Sequence, residues 1–385
     1  MATKKVPDRR PAAILPWADF DSLFETLTRL GYEVIAPTVR DHAIIYDTAT
    51  TAEKLPVGWQ DETGPGTYRL KKTDSDLAFD FTVGPHPWKS FFYPPTSTFM
   101  ETERTGNRFE VRAPETETPP KRALVGVRSC DLHAIDRLDR VFLKGPYVDS
   151  QYARYRSSVL LVGINCTRPG ATCFCTSMKT GPKCSVLYDL VLTERLESGE
   201  HYFLIEAGTP AGEKILAELN LAEASAEQVS GAEKAIDDAA GRMGRKLDMN
   251  GLAEILYRGF DDLHWEKIAE RCLSCGNCTM VCPTCFCATV QDTTDLTGQK
   301  ASRERLWDSC FTLDFTYIHG GSVRIAPESR YRQWLMHKLA YWQDQFGSPG
   351  CVGCGRCITW CPVGIDISEE ATGFRERDKT ASPQK

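Results

Sequence analysis

Two stretches of this chain, CLSCGNCTMVCP from Cys272 to Pro283 and CVGCGRCITWCP from Cys351 to Pro362, share the spacing Cys-x-x-Cys-x-x-Cys-x-x-x-Cys-Pro. This is the spacing in which three cysteines of one run bind a 4Fe-4S cluster while the fourth reaches across to the other run's cluster. Three thiolates in a tight loop can each take a separate iron. Gly276, Gly353 and Gly355 let the backbone come close, and the proline after each fourth cysteine turns the chain and fixes that ligand. Cross-ligation predicts Cys272, Cys275, Cys278 and Cys361 for one cluster, and Cys351, Cys354, Cys357 and Cys282 for the second. Paired Cys-x-x-Cys units also build tetrahedral zinc sites, so a zinc-stabilised interaction module is the alternative from another class. Zinc wants two pairs rather than two triads, each with a distant fourth cysteine.

The runs are far apart for a small ferredoxin, since 68 residues (283 to 350) separate Cys282 from Cys351. That insertion carries a helical pattern from Glu328 to Gln343, with Leu335, Leu339 and Trp342 on one face, which favours a mainly helical two-cluster domain. Upstream the pattern changes. Asp19 to Leu30 reads as a helix, Tyr32 to Ala36 and Ala43 to Tyr46 as strands. Ala123 to Val127 reads as a buried strand, Asp131 as a helix cap, Leu132 to Leu143 as a helix and Val159 to Ile164 as a second buried strand. At 385 residues the chain exceeds one ordinary core. The expectation is an α+β protein: a mixed α/β region over residues 1–210, a helical connection over 211–250, and a helical ferredoxin-like domain over 251–385.

Composition narrows the function. Lys and Arg number 46 against 52 Asp and Glu, for a formal net charge of -6 and no long basic run, so nucleic acid is not an expected partner. The longest strongly apolar run, Val159 to Ile164, is too short to span a bilayer. Arg9 and Arg10 are followed by Pro11 rather than by the long apolar stretch of an export signal, so a cytoplasmic location is expected. In a reducing compartment, 16 cysteines imply metal or redox chemistry rather than disulfides. No Gly-x-Gly-x-x-Gly follows a strand and no phosphate loop is present, so the chain is not expected to bind its own dinucleotide.

Eight cysteines lie outside the predicted ligand set. Cys130, Cys166, Cys173 and Cys175 fall at the ends of the buried strands or in the Gly/Pro-rich loop after them, where α/β units bind ligands. They are a candidate set for a third cluster, with Cys184 as a spare, although packed thiols are the commoner fate of such residues. Cys285, Cys287 and Cys310 make an incomplete site and read as thiols packed beside the clusters, where they tune potential. His133 and His337 read as ordinary histidines, Asp308 as a turn residue, and Lys89 and Arg69 as solvent-facing charges that a partner's acidic surface would suit.

Beyond the two runs, LPVGWQDETGPGTYRL (Leu55 to Leu70), WKSFFYPP (Trp88 to Pro95), GVRSCDLHAIDRLDRVF (Gly126 to Phe142), CFCTSMKTGP (Cys173 to Pro182), CPTCFCATV (Cys282 to Val290), RLWDSCFTLDFT (Arg305 to Thr316) and GCVGCGRCITWCPVGIDI (Gly350 to Ile367) carry a resemblance. With them nearly the whole chain resembles the beta subunit of sulfhydrogenase-type cytoplasmic nickel-iron hydrogenases and its relative, the iron-sulfur subunit of anaerobic sulfite reductase. The resemblance implies a non-catalytic electron-transfer subunit. It would stand between a flavin subunit that handles NAD(P)H and a catalytic partner, either a nickel-iron hydrogenase or a sirohaem sulfite reductase. His319 to Arg324 departs from the Gly-His-Asn-type turn of that family. The alternative within oxidoreductases is a sulfur- or polysulfide-reducing subunit that works through its N-terminal cysteines.

Overall fold

The computed structural model describes residues 12–113, 118–197 and 199–381; Arg9 and Arg10 lie outside them. Four strands run parallel at the centre of an eight-stranded sheet, in the spatial order Glu33–Arg40, Arg122–Arg128, Val159–Ile164 and Leu190–Glu197. Ala43–Thr48 closes one edge antiparallel. Glu200–Ala207, Ala13–Pro16 and Ala222–Glu223 extend the other. Near-continuous apolar runs such as VLLVGI suit strands covered on both faces.

Both faces are covered here. On one, the helix Asp21–Arg29 presses Leu23, Phe24 and Leu27 against Ala123, Val125, Leu160 and Val162. On the other, the helix Ser129–Phe142 places Leu132, Ile135 and Leu138 against Leu124, Val127 and Leu161. Gly126 (φ +89°) makes the bulge that lets Val125 and Val127 face opposite sides. A side chain there would meet the Phe79 ring at 2.7 Å.

The expected helix cap at Asp131 is displaced. Ser129 opens the helix, Arg128 caps it without a side-chain hydrogen bond, and Asp131 is its third residue. The carboxylate is instead committed to Arg356, 225 residues away.

The C-terminal part has its own apolar core, built by Trp265, Ile268, Trp334, Leu335, Leu339, Ile358 and Phe374. Its long helical pattern is realised as Pro327–Met336, a π-turn over His337–Tyr341, and Trp342–Phe346. The 68-residue insertion also holds a hairpin, Ala288–Thr294 with Lys300–Trp307, that the helical reading did not foresee. Lys300–Trp307 pairs antiparallel with Thr96–Thr105, so a four-stranded sheet stitches the insertion to the N-terminal region. Ala288–Thr294 is almost wholly solvent-facing and Lys300–Trp307 half-buried along its length, so neither shows the apolar alternation that would announce it.

Candidate iron-sulfur centres

The two cysteine runs fold alike. Gly276 (φ +77°) and Gly355 (φ +78°) cap the short helices Asn277–Met280 and Arg356–Thr359. Two residues after the first cysteine of each run, a backbone N-H donates back to its sulfur: Ser274 N to Cys272 Sγ at 3.4 Å and Gly353 N to Cys351 Sγ at 3.3 Å. Ile365 N donates to Cys361 Sγ at 3.3 Å. Donors of this kind stabilise thiolate ligands and the extra electron of a reduced cluster.

The cysteines collect in three cavities. The first is lined by Cys272, Cys275, Cys278 and Cys361, with Leu273, Phe311, Tyr331 and Trp334 among its walls. The second is lined by Cys282, Cys351, Cys354 and Cys357, together with Phe174, Lys338 and Ile367. Each predicted set of four is therefore brought together, three cysteines from one run and one from the other. Cys357 and Trp334 line both cavities, so the two sites share a wall. The thiols stand around these spaces rather than closing on a point: among the described residues no group of three or more His, Cys, Asp or Glu is placed to hold a single metal ion.

Cys130, Cys166, Cys173 and Cys175 line a third cavity, with Arg128, Arg168, Met243 and Cys354. The parallel register that sets Arg128 beside Ile164 brings Cys130 and Cys166 to the same carboxyl edge of the sheet. The loop that follows supplies Cys173 and Cys175. Burial pushes the Cys173 thiol up to about 12 and drives the Cys130 and Cys175 thiols upward as well. Cys184 lies outside this lining, with its thiol 3.6 Å from Ile164 O.

The loop is seated on the second run by one backbone and two hydroxyl hydrogen bonds. Phe174 N donates to Gly353 O at 2.8 Å, Thr180 Oγ1 donates to Val352 O at 2.6 Å, and Thr172 and Thr359 hydroxyls meet at 2.9 Å. A side chain at Gly353 would come within 2.6 Å of the Phe174 carbonyl, so only glycine allows this approach. Arg356 locks the arrangement: its guanidinium is held bidentately by Asp131 at 2.8 and 2.9 Å and donates to Gly84 O at 3.0 Å, with both side chains buried.

Several charged groups were not legible in the sequence. Lys89, read as solvent-facing, is only 4% exposed and its ammonium donates to Cys285 O at 2.6 Å. The short WKSFF stretch between prolines gave no hint in the sequence that the chain folds it inward. Lys338, 3% exposed, donates to Thr284 Oγ1 at 2.7 Å from within the π-turn. No carboxylate among the described residues lies within salt-bridge reach of either lysine. Burial lowers Lys89 to about 8. Burial works against Lys338 too, but the Cys282 and Cys285 sulfurs outweigh it and hold that group protonated. Cys285, Cys287 and Cys310 line none of the three cavities. The Cys285 thiol beside Cys282 and the Cys310 thiol beside Cys287 hold Cys282 and Cys287 below the usual thiol range.

The remaining candidates are ordinary. His133 meets Ser185 Oγ at 3.2 Å, His337 accepts from the Trp342 indole at 3.0 Å, and Asp308 serves its own turn by accepting from Ser309 N at 2.7 Å.

Fold, cavities and cysteine spacing together fit the class of iron-sulfur proteins, here built onto an α/β sheet. Residues 271–365 match the 4Fe-4S dicluster domain family. The chain is also 34% identical over 315 residues to the sulfhydrogenase 2 subunit beta of Pyrococcus furiosus, a match covering 80% of this chain and 90% of that protein. It belongs to the sulfhydrogenase beta-subunit family. No solved structure matches it.

Proposed function

We propose that the chain is an electron-transfer subunit of a hydrogenase-type complex and performs no bond chemistry of its own. The observation that carries this is the shared wall: two cavities, each lined by three cysteines of one run and one of the other, meet at Cys357 and Trp334. In this reading Cys272, Cys275, Cys278 and Cys361 hold one 4Fe-4S cluster, and Cys282, Cys351, Cys354 and Cys357 hold the other. The clusters supply one-electron carriage; the chain supplies spacing, burial and potential.

The chemistry of the donors fits. The thiols are soft ligands, backbone N-H groups point at three of them, and the second cavity is lined by a buried cation, Lys338, that lacks a carboxylate partner. Cys275 is exposed, so the cluster it binds reaches the surface, where a partner's cofactor docks. The partners are a flavin subunit handling NAD(P)H and a catalytic subunit; kinship with a sulfhydrogenase supports a nickel-iron catalytic partner over a sirohaem one. Residues 1–210 act as the docking platform, 211–250 as the connection and 251–385 as the cluster-bearing domain. No helix among the described residues is long and apolar enough to cross a membrane, and the complex is proposed to work in the cytoplasm.

Replacing Cys275 and Cys361 by Ser in the assembled complex should abolish electron flow from NAD(P)H to the catalytic subunit. Each partner's own reaction with an artificial dye should persist. NAD(P)H oxidation by this chain alone would sink the reading.

A further inference from the structure

We propose that Cys130, Cys166, Cys173 and Cys175 hold a third iron-sulfur cluster, which extends the ferredoxin pair into three electron-carrying centres in line. The proposal rests on the relay reading above and adds a site to it.

Four observations converge. The four sulfurs surround one space rather than packing into the core singly, and that space resembles the other two in size. About 380 Å³ of non-atom space, part of it open to solvent, lies between the lining residues, against about 410 and 340 Å³ at the ferredoxin-type sites. The four residues come from three separate segments, which the parallel sheet and the loop after it carry to one edge. Such an edge is where α/β sheets bind their ligands.

Next, the cavity holds a cation in need of a negative partner. Arg128, 3% exposed, places Nη1 3.6 Å from Cys166 Sγ and spends Nη2 on Phe79 O and Phe81 O, both at 2.7 Å. No carboxylate among the described residues lies within salt-bridge reach of it. The neighbouring Arg168 differs, being paired with Asp61 at 3.1 Å and Asp80 at 3.7 Å. A buried guanidinium facing four thiols is satisfied when those thiols are ionised as ligands.

Third, the cavity is continuous with the relay. Cys354 lines both the second and third cavities, just as Cys357 lines the first and second. Phe174 lines the second while its chain neighbours Cys173 and Cys175 line the third. The run 351–357 is therefore the common partition of two neighbouring sites, and an electron at the second reaches the third across one cysteine.

Fourth, the loop is built to hold its cysteines still. The glycine-only approach of Gly353 to Phe174 and the Thr172, Phe174 and Thr180 hydrogen bonds pin it to the second run. A loop that merely covered a core would need no such registration with a cluster-binding run.

Binding replaces one proton on each of four thiols by one iron of a preassembled cluster. The protons pass to solvent and no oxidation state changes. In the relay each centre gains one electron from its neighbour and passes one on, so no further reactant is required.

The test is iron and acid-labile sulfide per full-length chain after anaerobic reconstitution with sulfide and equal amounts of ferric and ferrous iron, the ratio a resting cluster contains, with zinc measured in parallel. About twelve irons are expected in the unaltered chain and about eight in C173S/C175S, a loss of one third, at four irons per cluster. C184S, outside the cavity, should keep all twelve. Eight irons in the unaltered chain would overturn the third site and leave the relay standing, and this count decides even if the double variant fails to fold. Twelve irons retained in C173S/C175S would equally overturn it. Zinc without iron would overturn the relay itself, a separate failure.

Discussion

Lys89 and Lys338 place two ammonium groups beside Cys282, buried and without carboxylates. An isolated buried charge costs several kcal/mol, so the pair makes sense only against concentrated negative charge, which cluster thiolates provide. A nearby cation stabilises the reduced, more negative cluster and raises its potential. The first cavity has no cationic side chain in its lining. Lys338→Met should therefore lower the midpoint potential of a single cluster, by roughly tens of millivolts for a charge lost at partly screened distance, while Lys338→Arg holds it. A redox titration followed by electron paramagnetic resonance reads the shift. Equal potentials in the Met and Arg variants at unchanged iron content would refute the assignment. Neither lysine announces this role in the sequence, since WKSFF and MHKLA are unremarkable until the π-turn and the Pro-rich loop aim them at one spot.

At the scale of elements, the helix Ser129–Phe142 and the short helix Arg356–Thr359 are joined by one buried ion pair, Asp131 with Arg356. Removing one partner strands the other charge, at a cost of about 3–5 kcal/mol. Asp131→Asn and Arg356→Met should each destabilise the chain by roughly that amount, and the double variant by clearly less than the two together. Thermal unfolding of the four proteins is the measurement; strictly additive losses would mean that the pair is not coupled. The buried strands of the sheet were legible because apolar runs bounded by turns leave little choice. The Asp131 cap was misjudged because its partner lies 225 residues away, and the Ala288–Thr294 hairpin was missed because exposed strands carry no core-facing stripe.

Over the whole molecule, the C-terminal core closes around cysteines that are themselves partly buried, Cys272, Cys278, Cys351, Cys357 and Cys361 among them, whereas the central sheet has apolar cores of its own. Metal-binding energy is folding energy where the ligands form the core. Iron removal by a chelator should therefore expose residues 251–381 to hydrogen exchange while Arg122–Arg128 and Val159–Ile164 stay protected. Uniform loss of protection would show a single cooperative unit instead. The sequence by itself determined which four cysteines gather at each of the first two cavities, because a repeated run of fixed spacing states its own pairing, and it determined the buried strands at the centre of the sheet, because burial on both faces writes a continuous apolar run. Only the tertiary structure decided that Cys130, Cys166, Cys173 and Cys175 share one cavity, that Cys354 and Cys357 partition three cavities in a row, and that Lys89, Lys338 and Arg128 turn inward. These depend on contacts between residues far apart in the chain, set by parallel register and glycine-only backbone approach, for which no local pattern exists.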